Sequence, residues 1–192
     1  MESVDLHVRR YTVYTGGRGA RAQTLEVEPS TPPAPAPARR EAAPERVLLT
    51  DIMSRELVCA RPELDIATVV GLMVRHHVGC IPVVDARRRP VGMITKFDLV
   101  EHLEAFMSSA ADGAPLPTDL AARTADEVMM PIALSLDEQA TVLQAAAMMQ
   151  VEDVHHVLVV ARSGALLGVI STKDITNWMV DTQRGERASP GS

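Results

Sequence analysis

A chain of 192 residues that is 46% hydrophobic and 23% charged carries enough apolar material for a core and fits one or two globular domains. Its net charge of −6 argues against nucleic acid as the main partner, because neutralising phosphates calls for a basic face. No run approaches the roughly 20 apolar residues of a membrane helix, and the acid-bearing start M-E-S-V-D-L-H-V-R-R is not a secretory signal, so a cytoplasmic protein without membrane insertion is expected.

Residues 1–28 read as an N-terminal arm or hairpin: Val4 to Tyr14 alternates loosely, T-G-G-R-G at Thr15 to Gly19 is turn material, and Ala20 to Val27 can return as a strand. Arg9, Arg10, Arg18 and Arg21 with Tyr11 and Tyr14 offer RNA or an acidic partner a surface. Glu2, Asp5, Glu26 and Glu28 dilute that charge, and an exposed edge hairpin or disordered arm is the simpler reading. Residues 29–46 are rich in Pro and Ala, favour extended polyproline II and read as a linker.

The folded part begins near Val47. V-L-L-T-D-I-M leads as a turn of helix to Met53, and Thr124 to Met129 repeats the role. Short strands are expected at Val58 to Ala60 and Leu134 to Leu136. Helices follow whose core faces are expected at i, i+3, i+4 and i+7, namely Ile66, Val69, Val70 and Met73, then Val142, Ala145, Ala146 and Met149. Cys80 to Val84 and Val157 to Val160 are β-branched runs that suit strands covered on both faces. After turns at Arg87 to Pro90 and Ser163 to Gly164 come the stretches P-V-G-M-I-T-K-F-D and L-L-G-V-I-S-T-K-D, each a strand through a glycine and a hydroxyl residue three places before an aspartate that opens a helix. From these closing helices Leu99, Val100 and Leu103, and Ile175, Trp178 and Met179, are expected to face inward. Residues 108–123 read as a connection and 183–192 as a disordered tail.

The two series form an internal repeat. Laying Met53 on Met129 gives an ungapped register of 51 positions with 8 identities, placed at strand cores, at the strand glycine and at the helix start. Neither copy, 47–107 or 124–182, hides both faces of its own small sheet, so the fold expected is α/β (α+β), two tandem repeats packed as one pseudo-two-fold module.

The order helix, strand, helix, strand, strand, helix, twice over, resembles the cystathionine-β-synthase (CBS) domain. The resemblance spans about Val47 to Val180 and rests on V-G-M-I-T-K-F-D at Val91 to Asp98, L-G-V-I-S-T-K-D at Leu167 to Asp174, H-V-G-C-I-P-V-V-D at His77 to Asp85 and D-I-M at Asp51 to Met53. It implies a Bateman module, a regulatory pair that binds an adenosyl ligand (AMP, ADP, ATP or S-adenosylmethionine) in up to two clefts, needs no cofactor, signals to a partner protein that the sequence does not name, and forms a homodimer through apolar helix faces.

Carried onto this chain, the resemblance implies ligand-binding residues Cys59, Ala60, Ile81, Pro82, Thr95 and Asp98 in the first copy, and Ser135, Leu136, His155, His156, Val157, Leu158, Ser171 and Asp174 in the second. Two readings of Thr95 with Asp98 and of Ser171 with Asp174 stay open together. A [TS]-x-x-D is a capping box, and its carboxylate is also suited to accept from the paired hydroxyls of a ribose. The copies differ: Cys59 stands where Ser135 keeps a hydroxyl, and Gly79 and Cys80 stand where the second copy has His155 and His156. His76, His77 and Cys80 invite a metal reading, but histidines at a helix end suit its dipole and a thiol in an apolar strand is ordinary, so no metal is expected. No Gly-rich phosphate loop, nucleophile elbow or paired-carboxylate site lies outside the repeats, which argues against an enzyme; the alternatives are a ligand-free structural dimerisation or interaction module and, behind it, a nucleotide-dependent enzyme.

Overall fold

The chain alternates short strands with helices whose ends are written in its side chains. In the computed structural model, which describes residues 10–15, 21–25, 46–111, 123–131 and 134–187, the order is β1 (Arg10–Thr15), β2 (Arg21–Leu25), α1 (Leu49–Ile52), β3 (Glu56–Ala60), α2 (Ile66–His76), β4 (Cys80–Val84), β5 (Pro90–Thr95), α3 (Lys96–Ala111), α4 (Ala125–Val128), β6 (Ser135–Asp137), α5 (Val142–Val151), β7 (His156–Val160), β8 (Leu166–Ser171) and α6 (Thr172–Arg187). Residues 29–45 of the expected linker, 112–122 of the expected connection and 188–192 of the expected tail lie outside the described residues.

The mixed α/β architecture is the one expected. Helix α2 starts at Asp65, whose carboxylate accepts from the Thr68 N–H at 2.8 Å, and stops at His77, which takes the left-handed conformation at φ 54°. Helix α5 starts with a Thr141–Gln144 capping box, and Asp153, the counterpart of His77, stands at φ 53°. Strand β4 is buried at every position, which accounts for its unbroken apolar run.

The chain divides into two compact units that do not follow the repeats in sequence. One takes β1, β2 and the chain from Leu57 through α4, and the other takes the stretch before Leu57, with α1, and the chain from Leu134 onward. Each unit thus receives the short leading helix of the other repeat. In one, Leu49 N–H donates to the Ala140 carbonyl at 2.9 Å, Val142 N–H to Val47 at 2.9 Å, and Ser54 and Val169 exchange bonds at 2.9 and 3.1 Å. In the other, the positions 76 residues away (Met129 less Met53) repeat every bond: Ala125 to Leu64 at 2.8 Å, Ile66 to Arg123 at 2.9 Å, and Met93 with Met130 at 3.1 and 3.0 Å. The 76-residue register of the sequence is therefore also a register of backbone hydrogen bonds.

The first unit has a five-stranded sheet in the order β2-β1-β3-β4-β5, and the second a three-stranded sheet in the order β6-β7-β8. In both, the central strand runs parallel to the strand before its helix and antiparallel to the glycine strand. The extra strands are the antiparallel hairpin β1-β2, whose Tyr14 carbonyl accepts the Arg61 N–H at 3.1 Å and whose Tyr14 ring lies 6.5 Å from that of His76.

Four apolar residues expected inside are outside. Val100 is 59% exposed, Leu103 47%, Met179 51% and Val70 41%. The cap fixes the face of α3: Asp98 is buried in its box, and about 100° per residue turns Val100 roughly 200° away from it. Periodicity marked these positions as apolar, but apolar does not mean buried within one unit.

Candidate functional site

The site is built where β8 turns into α6. Asp174 accepts from the Ser171 N–H at 2.8 Å and the Ser171 hydroxyl at 2.6 Å through Oδ2, while the Ser171 Oγ accepts from the Asp174 N–H at 3.2 Å. Thr95 and Asp98 repeat the arrangement at 2.6, 2.7 and 3.3 Å. The capping reading is therefore correct at both places, and each box commits only Oδ2 of its carboxylate. Surroundings separate the two: Asp98 is only 8% exposed, whereas Asp174 is half-buried and opens onto a cavity.

That cavity holds about 350 Å³ and lies within one unit. Asp51, Ile52 and Met53 of the exchanged helix and its cap form one side; Asp174, Asn177, Trp178, Asp181 and Thr182 form the other. The α6 residues sit at i, i+3, i+4, i+7 and i+8, a single helix face. Three carboxylates, an amide and the chain's one tryptophan meet there, and the Thr182 hydroxyl donates to the Trp178 carbonyl at 2.9 Å. At the matching place in the other unit stand Arg123 and His102, with Arg123 Nη1 3.2 Å from His102 Nδ1 and Nη2 donating to the Glu127 carbonyl at 2.8 Å.

The other sequence-derived residues fall as follows. Ser135 pairs with Leu158 and His156 with Ser171 across neighbouring strands, so those four share one sheet. Leu136 is half-buried, Val157 and Leu158 are fully buried, and His155 is exposed with its carbonyl accepting the Thr172 N–H at 3.0 Å. In the first copy Cys59, Ala60 and Ile81 are all 0% exposed and Pro82 is buried, so their side chains belong to the core; Cys80 pairs with Thr95 across β4 and β5. Of the fourteen residues named, Asp174 alone lines the cavity; Asp51, Ile52, Asn177, Trp178, Asp181 and Thr182 were not singled out as its walls. The α6 half was legible as a face counted from Asp174. The α1 half was not, because it depends on the exchange of leading helices.

Both cysteines are buried and unbridged, and among the described residues no group of three or more His, Cys, Asp or Glu side chains is arranged to hold a metal ion. Among them also, no helix is long and apolar enough to cross a membrane.

A sequence model of the CBS domain matches this chain twice, at residues 49–105 and 125–181. An uncharacterized protein of Methanocaldococcus jannaschii, MJ1404, is 26% identical over 141 residues, covering 71% of this chain and 33% of its own. The chain spans about a third of the length of the curated relatives it matches first. Among solved structures, the CBS domain pair of protein MJ0100 in complex with 5′-methylthioadenosine and S-adenosyl-L-methionine superposes with a TM-score of 0.57 at 21% identity, covering 70% of this chain and 97% of that one. The protein CBSX2 in complex with AMP superposes with a TM-score of 0.59 at 18% identity, covering 72% and 99%.

Proposed function

Because the chain belongs to the CBS domain family, we propose that it is a regulatory module that binds an adenosyl ligand at the Asp174 cavity and passes its occupancy to a partner protein, with no catalysis of its own. The observation that carries this reading is the cavity itself: about 350 Å³, with the capping carboxylate of Asp174 at its wall. It lies at the lower end of the roughly 300–1,000 Å³ usual for small-molecule sites. Solved neighbours in complex with AMP and with S-adenosylmethionine support the ligand class.

In this reading Asp174 keeps Oδ2 on Ser171 and offers Oδ1 to a ribose hydroxyl, and Trp178 supplies an apolar wall. The strand pair Ser135 and Leu136 with Val157 and Leu158, which stands outside the cavity walls, borders the part of the ligand that extends beyond the cavity, chiefly through backbone groups, because the latter two side chains are buried. His155 and His156 meet the ligand's anionic end, a phosphate or a carboxylate. The first-copy residues Cys59, Ala60, Ile81, Pro82, Thr95 and Asp98 form the weaker site, closed by burial.

The chain acts as a homodimer. Phe97, Val100, Leu103 and Met107 of α3 are 69%, 59%, 47% and 63% exposed, an apolar row that one chain leaves to solvent. The test of the ligand reading is a thermal-shift screen over adenine nucleotides, S-adenosylmethionine, cyclic dinucleotides and NAD. An adenosyl compound should raise the Tm of the wild type, and silence across the screen would leave the dimerisation module standing instead.

A further inference from the structure

The charge around the Asp174 cavity decides which adenosyl ligand it takes, an inference that rests on the binding reading above. We propose that the cavity selects a positively charged nucleoside of the sulfonium class, S-adenosylmethionine or a close analogue, over adenine nucleotides and over neutral thioethers. Asp51, Asp174 and Asp181 face the cavity from both sides, and among the described residues no Lys or Arg lines it. An anionic polyphosphate entering there is repelled by all three carboxylates, while a cation is attracted by all three.

Two further observations narrow the cation. Among the described residues no three acids, histidines or cysteines are arranged to hold a metal ion, so the cavity offers no ready protein cage for a bare cation. The wall between Asp174 and Asp181 is the indole of Trp178, half-buried against the core and still open to the cavity. The face of an indole attracts cations, as quaternary ammonium groups in aromatic cages show. A sulfonium fits such a wall better than hydrated magnesium does, since it is apolar around its charge. The repeat supplies an internal contrast: in the other unit the counterparts of Asp51, Asp174 and Asn177 are Glu127, Asp98 and Glu101, but Asp98 is only 8% exposed and the place of Trp178 is taken by His102, whose Nδ1 lies 3.2 Å from Arg123 Nη1. The pairing of an open carboxylate with an aromatic wall therefore belongs to the Asp174 cavity and not to its counterpart.

The experiment compares S-adenosylmethionine with S-adenosylhomocysteine, which differ by one methyl group and one positive charge, by calorimetry on the full chain, with AMP and magnesium ATP alongside. Wild type should bind the sulfonium at least tenfold more tightly than the thioether, with the ratio shrinking as salt rises. In Asp51→Asn/Asp181→Asn, two shape-conserving changes at exposed positions, the ratio should fall toward one while the melting curve stays cooperative. Equal affinities in wild type, a ratio that survives the double substitution, or tighter binding of AMP or magnesium ATP would each overturn the charge selection while leaving the adenosyl site in place. No binding by any of the four compounds would overturn the adenosyl reading and this inference with it.

Discussion

Met53 lies so close against Gly168 that a Cβ on the glycine would stand 2.8 Å from the methionine Cγ and 3.1 Å from the Ser54 carbonyl oxygen. Met129 and Gly92 repeat the contact in the other unit, with Met129 Cγ and the Met130 carbonyl oxygen both at 2.8 Å. The glycine in each signature strand is thus there for the exchanged helix, which could not otherwise lay its cap methionine on the strand. Gly168→Ala should cost about 1–3 kcal/mol of stability by overpacking. Gly92→Ala should cost more, because the backbone oxygen it meets lies closer and cannot rotate away. Chemical denaturation of both variants checks the order, and Met53→Ala should relieve part of the Gly168→Ala penalty in a double-mutant cycle.

The proposed homodimer meets through the apolar row of α3. Val100→Glu with Leu103→Glu places two charges on residues that are 59% and 47% exposed, which a single chain tolerates within roughly 0.5 kcal/mol each and a dimer interface does not. Light scattering should give a dimer for the wild type and a monomer of 20.7 kDa for the variant, with an unchanged circular dichroism spectrum. A wild-type monomer at micromolar concentration contradicts the assembly.

Acid should weaken the unit that contains Asp85 and Glu127. The Arg89 N–H, followed by the Arg89 side chain and the Arg87 N–H, holds the Asp85 carboxyl below its usual 3.8, and the Thr124 N–H and hydroxyl hold Glu127 below its usual 4.5. A carboxylate lowered on folding stabilises the folded state fully above its unfolded value, and that contribution is lost as pH falls through the folded one. Wild type should therefore exceed Asp85→Asn in stability at pH 6, with the gap closing below the ordinary carboxylate range. Urea melts across pH 3 to 6 measure it; a constant gap contradicts the assignment.

The repeat, the two capping boxes and the strand glycines could all be read from the chain, because each is a local pattern that recurs in register. The helix exchange could not. Bonds such as Leu49 to Ala140 join distant stretches with no complementary sequence mark, and Asp51 therefore looked like part of its own repeat. The docking of Tyr14 beside Arg61 was equally hidden, since a hairpin's outer edge carries no sign of the strand it will meet. Val100 and Leu103 misled because apolar periodicity marks a face without saying where the capping box turns it, and the box at Asp98 turns this one to solvent.

The central claim is that Asp174 serves a ligand as well as a helix end, and calorimetric titration of S-adenosylmethionine and AMP into wild type, Asp174→Ala and Asp98→Ala tests it most directly. Charge-assisted hydrogen bonds of roughly 1.5–3 kcal/mol each would be lost with the Asp174 carboxylate, so affinity should fall at least tenfold. Asp98→Ala, at a carboxylate only 8% exposed, should bind within a few-fold of wild type. Asp174→Asn, which keeps an oxygen for the cap, separates binding from folding and should retain a cooperative melt while still binding weakly. Wild-type affinity in Asp174→Ala would contradict the account and leave Asp174, like Asp98, a helix cap and nothing more.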